Sequence, residues 1–141
     1  MAKHRPLLAV CEVGEIYSFI SYRRSDWTRI APILSGLKLA GFPFWFDHGI
    51  PGGADWLSEL QERLRRARAL VLFLGRAAGE SRYVRLEASY AFSLGKPILP
   101  VRLEEVELKG LPAGLGLLLN SIQTIDFHVE EIIRHLRQHG L

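Results

Sequence analysis

Ala69-Leu70-Val71-Leu72-Phe73-Leu74 is an unbroken apolar run. A strand with one face in water alternates apolar and polar side chains; one without alternation is buried on both faces, as in the middle of a parallel sheet. The elements around it repeat that theme. Downstream, the loop 75–80 leads into a helix spanning Ser81 to Gly95, with Ser81 as a good N-cap and Gly95 as a good stop. Lys96–Val101 reads as a fourth strand. A Leu/Gly-rich stretch, Leu108–Leu119, precedes a short fifth strand at Gln123–Asp126, and Val129, Ile132, Ile133 and Leu136 mark a final amphipathic helix.

Upstream, Ile16–Ser21 is the first firm strand. A helix follows over about Thr28–Ala40; Pro32 fits it only near the first turn or at a kink, and Gly41 ends it. Phe42–Phe46 is the second strand. The turn-rich loop Asp47-His48-Gly49-Ile50-Pro51-Gly52-Gly53-Ala54 comes next, and Asp55 caps a helix carrying Trp56, Leu57, Leu60 and Leu64. Strands alternating with helices predict a parallel sheet covered on both faces. Five strands in this length give an α/β, flavodoxin-like three-layer sandwich with strand order 2-1-3-4-5. Ligands of such sheets bind beyond the carboxyl ends of the strands, at the switch point between strands one and three. That places Tyr22-Arg23-Arg24, the 75–80 loop and the helix behind it around one crevice.

With 141 residues the chain is read as one domain, residues 15–141, preceded by an extension over 1–14. The longest apolar runs are too short to span a membrane, so none is expected as a partner. A single cysteine, Cys11, leaves no intramolecular disulfide and fits a reducing cytoplasm. The 18 basic and 15 acidic residues leave a modest excess. Basic residues cluster at Arg23-Arg24 and at Arg63, Arg65, Arg66 and Arg68; the second cluster lies on a helix where Glu59→Arg63 and Glu62→Arg66 form i,i+4 pairs, a solvated face that does not call for nucleic acid. The histidines (His4, His48, His128, His135 and His139) are scattered, and no metal site or bound cofactor is expected.

Glu87 is the residue out of place. Its helical neighbours at i±3 and i±4 are Tyr83, Val84, Tyr90 and Ala91, with no Lys or Arg among them. A carboxylate on an aromatic and apolar stripe is costly unless it meets a partner or does chemistry, and desolvation would raise its pKa.

Three segments now carry a resemblance. Phe19-Ile20-Ser21-Tyr22-Arg23-Arg24-Ser25-Asp26 resembles the first box of TIR domains, and Asp47–Gly53, with Pro51-Gly52, the second. Tyr83-x-x-x-Glu87 is similar to the Trp-x-x-x-Glu of NAD-cleaving TIR domains, in which the Glu is catalytic. Tyr83 stands where that motif has Trp. The Phe-Trp of the third box in animal receptor TIR domains is missing, Phe127-His128 being the nearest match. The resemblance therefore implies a bacterial, NAD-cleaving type serving immune or cell-death signalling in the cytoplasm.

On that reading Glu87 is the catalytic carboxylate and NAD⁺ is the substrate. Arg23 and Arg24 are candidates for the pyrophosphate, with mere exposure as the alternative. Tyr22 either stacks on a substrate ring or packs the strand end. Tyr83 is a site wall, and Gly52 joins the substrate-binding set. The resemblance further implies that the loop Asp47, His48, Gly49, Ile50, Pro51, Gly52 and Gly53 packs on a neighbouring TIR domain. It also implies activation by self-assembly, with a fused or separate sensor domain as a further partner. The alternative from another class is a non-enzymatic module that only binds other TIR domains.

Overall fold

A computed structural model describes residues 16–47, 54–75, 81–104, 125–126 and 128–138. The elements are β1 (Ser18–Ser21), α1 (Trp27–Leu39), β2 (Phe44–Phe46), α2 (Ala54–Arg66), β3 (Ala69–Leu74), α3 (Arg82–Ser93), β4 (Ile98–Arg102), β5 (Ile125–Asp126) and α4 (Val129–Gln138). A short 3-10 turn, Arg24–Asp26, joins β1 to α1. All four strand pairings are parallel, and the order is β2-β1-β3-β4-β5. The expected α/β sandwich, with its five strands and their order, is the one observed.

The apolar run at β3 is explained by its two faces. Leu70, Leu72 and Leu74 enter a core with Phe19, Trp45, Leu60, Leu64, Val84 and Ala88, on the side of α2 and α3. Val71 and Phe73 enter the opposite core with Ile20, Ile30, Leu34, Phe46, Val101 and Ile132, on the side of α1 and α4. Every β3 residue is buried. Among the described residues, no helix is long and apolar enough to cross a membrane.

Several element ends differ from the sequence reading. β1 and β2 are shorter than Ile16–Ser21 and Phe42–Phe46. Pro43 has no N–H to give the ladder, although its carbonyl still accepts from the Ser18 N–H at 3.2 Å. α1 starts at Trp27 and carries Pro32 inside it; both Pro32 and Thr28, whose carbonyl loses its helical donor, are exposed, so water can take the donor's place. Asp55 does not cap α2 but sits in its first turn, where a carboxylate still favours the helix dipole. β4 is shifted to Ile98–Arg102, and of Gln123–Asp126 only the last two residues are described, both in β5. At the end of α3, Gly95 takes φ +72°, the left-handed conformation expected of a helix stop.

Candidate active site

β1 delivers Ser21 to the carboxyl edge of the sheet, beside the start of α3. The Ser81 side chain accepts the Val84 N–H at 3.2 Å and caps that helix. α3 then runs back along the sheet, burying Val84, Glu87, Ala88 and Ala91 on one face. Glu87 is thus carried on the core stripe itself, at 5% exposure. Its partner comes from another element: Ser21 Oγ donates to Glu87 Oε1 at 2.7 Å.

Ile20, Tyr22, Arg24, Asp47, Ser81, Tyr83 and Glu87 line a crevice of about 30 Å³. That is room for a water molecule or two and too little for a substrate ring. Asp47 closes one side. Its carboxylate lies 3.7 Å from Arg24 Nη2 and 3.5 Å from Trp56 Nε1, which donates toward it. Its backbone carbonyl accepts the Tyr22 hydroxyl at 3.2 Å. Tyr83, about half exposed, stands edge-on to Trp56 at 5.1 Å between ring centroids.

Burial pushes Glu87 up to about 8. The hydrogen bond from Ser21 works against this by favouring the ionised carboxylate, the negative charge of Asp47 adds to the rise, and Arg24 opposes it. At neutral pH the resting carboxyl is mostly protonated. A cation entering the crevice would favour its ionised form.

Of the residues expected at the site, Glu87, Tyr22, Arg24 and Tyr83 come together around the crevice. Tyr22 also packs the strand end, at 8% exposure against Trp27 and Phe46. Arg23 is not part of the crevice lining. It precedes the 3-10 turn, its carbonyl accepts the Asp26 N–H at 2.8 Å, and the turn carries Arg24 rather than Arg23 to the crevice. Gly52, with His48, Gly49, Ile50, Pro51 and Gly53 of the assembly loop, lies outside the described residues. Three contributors were not anticipated. Ser21 meets Glu87 across 66 positions of chain, a contact no local spacing reveals. Asp47, expected as the first residue of the assembly loop, is also a crevice wall, and Trp56, expected only on the helix after that loop, supports both Asp47 and Tyr83.

The fold is shared with solved TIR structures. The TIR domain of the Toll-related receptor TRR-2 from Hydra magnipapillata aligns at TM-score 0.63 and 13% identity, over 87% of this chain and 92% of that one. The TIR domains of the activated Roq1 resistosome recognising the effector XopQ align at TM-score 0.68 and 12% identity, over 90% and 100%. A metazoan TIR-STING receptor from C. gigas aligns at TM-score 0.64 and 20% identity, over 89% of this chain but only 42% of the receptor. At these identities the likeness is one of fold. The comparison with curated proteins gave no match. The family model of the TIR domain matches residues 19–140, most of the chain, and the chain therefore belongs to the TIR domain family.

Proposed function

We propose that this TIR domain is an NAD⁺ nucleosidase with Glu87 as its catalytic carboxylate. The observation that carries the reading is a buried carboxyl held by Ser21 in a crevice at the carboxyl edge of β1 and β3. That edge is the switch point where sheets of this order bind ligands.

The chemistry suits a single acid. Nicotinamide is a cation while bound to ribose and departs neutral, so no proton need be delivered to the leaving group. The ribosyl carbon passes through an oxocarbenium-like state, as in glycoside hydrolysis. An ionised Glu87 opposite that carbon stabilises the developing charge. Water capture gives ADP-ribose and a proton; capture by an adenine nitrogen or a ribose hydroxyl gives a cyclic product. The pyridinium charge also assists the site. It favours ionisation of a carboxyl that burial otherwise keeps protonated, so substrate binding prepares the group that acts on it. On this reading no cofactor or metal is required, and the cellular setting is bacterial immune or cell-death signalling under a sensor domain.

The test is incubation of wild type and Glu87→Gln with NAD⁺, with products identified by mass. Wild type releases nicotinamide and an ADP-ribosyl product; folded Glu87→Gln releases neither. Equal cleavage by both would remove Glu87 from the chemistry.

A second reading, a non-enzymatic assembly module, draws on the small volume of the crevice and on Leu57, Tyr83 and Leu86, which are large apolar side chains left exposed. It predicts self-association with no NAD⁺ consumption at any protein concentration.

A further inference from the structure

The crevice at Glu87, at about 30 Å³, is too small even for a substrate ring, and a dinucleotide is many times larger. The bulk of such a substrate has to lie against a neighbouring surface. One adjoins directly, because Tyr83 lines both the crevice and a groove of about 610 Å³ between α2 and α3. The groove is completed by Trp56, Arg82, Arg85, Leu86 and Ser89.

We infer that this groove is a nucleotide subsite, in which Arg82 and Arg85 bind the phosphates and Trp56 supports the base. The inference deepens the nucleosidase reading and rests on it for the identity of the natural ligand, an adenine dinucleotide. Arg82 and Arg85 are three positions apart on α3, so they share a side of the helix, and both are exposed. Neither side chain has a hydrogen bond or ion pair among the described residues. Most other helical arginines here are matched: Arg63 to Glu59, Arg66 to Glu62 and Arg134 to Glu131. Arg24, the phosphate candidate from the sequence, is already engaged with Asp47. Two uncommitted guanidinium groups side by side suit the oxygens of a diphosphate. Trp56 is fixed from two directions, by the edge-on contact with Tyr83 and by its Nε1 directed at Asp47. A held aromatic plane beside a cationic groove is a stacking platform for a base.

The test uses adenosine 5′-diphosphate alone, titrated into the full chain and followed by calorimetry and tryptophan fluorescence. Binding at one site is expected, retained in Glu87→Gln and weakened at least about tenfold in Arg82→Gln/Arg85→Gln, which loses two charge-assisted contacts. Arg68→Gln removes an exposed charge at the opposite end of the sheet and is expected to leave the affinity within about twofold. Absence of binding, or equal weakening by Arg68→Gln, overturns the subsite. NAD⁺ turnover separates the two readings. Diphosphate binding that depends on the arginine pair, in a protein that never cleaves NAD⁺, keeps the subsite and removes the nucleosidase. Cleavage of NAD⁺ by a protein whose diphosphate affinity ignores the pair does the reverse. With both readings correct, the KM for NAD⁺ rises in the double variant by the same factor as the diphosphate Kd.

Discussion

Glu87 holds an acidic proton at 5% exposure, and on the nucleosidase reading this has opposite consequences for stability and for activity. Its folded value of about 8 stands above the 4.5 of an unburied Glu. Between those values the folded protein binds more protons than the unfolded one, so stability falls as pH rises from about 4.5 and levels off above about 8. The contribution is fully present in acid and is on the order of a few kcal/mol. Glu87→Gln keeps the shape and removes the titration. Thermal melts from pH 5 to 9 are therefore expected to show a decline for wild type that is absent from Glu87→Gln, the variant being the more stable above pH 8. Parallel melting curves would mean that Glu87 is ionised throughout. On the nucleosidase reading the sign reverses for activity, because the ionised form is the one that would act. The pH profile of kcat/KM reports the free enzyme and is expected to rise about tenfold per unit up to about pH 8, then flatten. Ser21 favours the ionised form, so Ser21→Ala should move the rise to higher pH and leave the plateau closer to wild type. A Ser21→Ala profile superimposable on wild type would show that the 2.7 Å hydrogen bond does not tune the carboxyl.

At the scale of elements, the end of β3 is tied to the turn after β1. A Cβ placed on Gly75 would meet Asp26 Oδ2 at 2.4 Å and Oδ1 at 3.0 Å. Asp26 is buried and has little freedom to withdraw, since Arg29 Nη1 holds it at 3.2 Å while reaching Glu104 at 3.2 Å, and Nη2 of the same residue donates to the Leu103 carbonyl at 3.0 Å. Gly75→Ala is thus expected to destabilise by about 1–3 kcal/mol, the cost of overpacking. In the double variant with Asp26→Ala the two losses should sum to more than the observed loss, a coupling measurable by denaturant melts. Simple additivity would place the two residues out of contact. The sequence reading is accurate where burial is two-sided. β3 matches residue for residue, because each of its positions faces a core. α3 also matches, because Ser81 and Gly95 bound it through their own backbone chemistry. It drifts where tertiary pairing decides, at the ends of β1, β2 and β4. The candidate site divides in the same way. Glu87 is legible because its helical neighbours fail to explain a charge. Ser21 is not, since its meaning depends on a residue brought to it by the sheet. Arg23 and Arg24 are adjacent and chemically identical in sequence, and only the 3-10 turn that begins at Arg24 separates their roles.

For the whole molecule, the state of the crevice bears on how activity is switched. A space of about 30 Å³ is too small for nicotinamide, so on the nucleosidase reading a wall has to move before catalysis. Asp47 is the wall that opens the 47–53 loop. It is held by Arg24, by the Tyr22 hydroxyl and by Trp56, each contact at 3.2 Å or longer. A neighbouring TIR domain that engaged the loop would draw on these modest contacts, release Arg24 and widen the crevice, shifting a closed population toward an open one. Head-to-tail engagement of this kind extends into strands rather than closing into dimers. Specific activity is therefore expected to depend on protein concentration. Below the midpoint of assembly a tenfold dilution should lower it by up to about tenfold, following mass action. Ile50 is the apolar residue of that loop with the largest side chain, and Ile50→Asp should depress activity at high concentration while leaving the melting temperature within a few degrees of wild type. Asp47→Asn, which weakens the hold of Arg24, should raise the activity of the dilute protein. A specific activity constant across the dilution series, with Ile50→Asp unimpaired, would make the monomer the enzyme and its crevice self-opening.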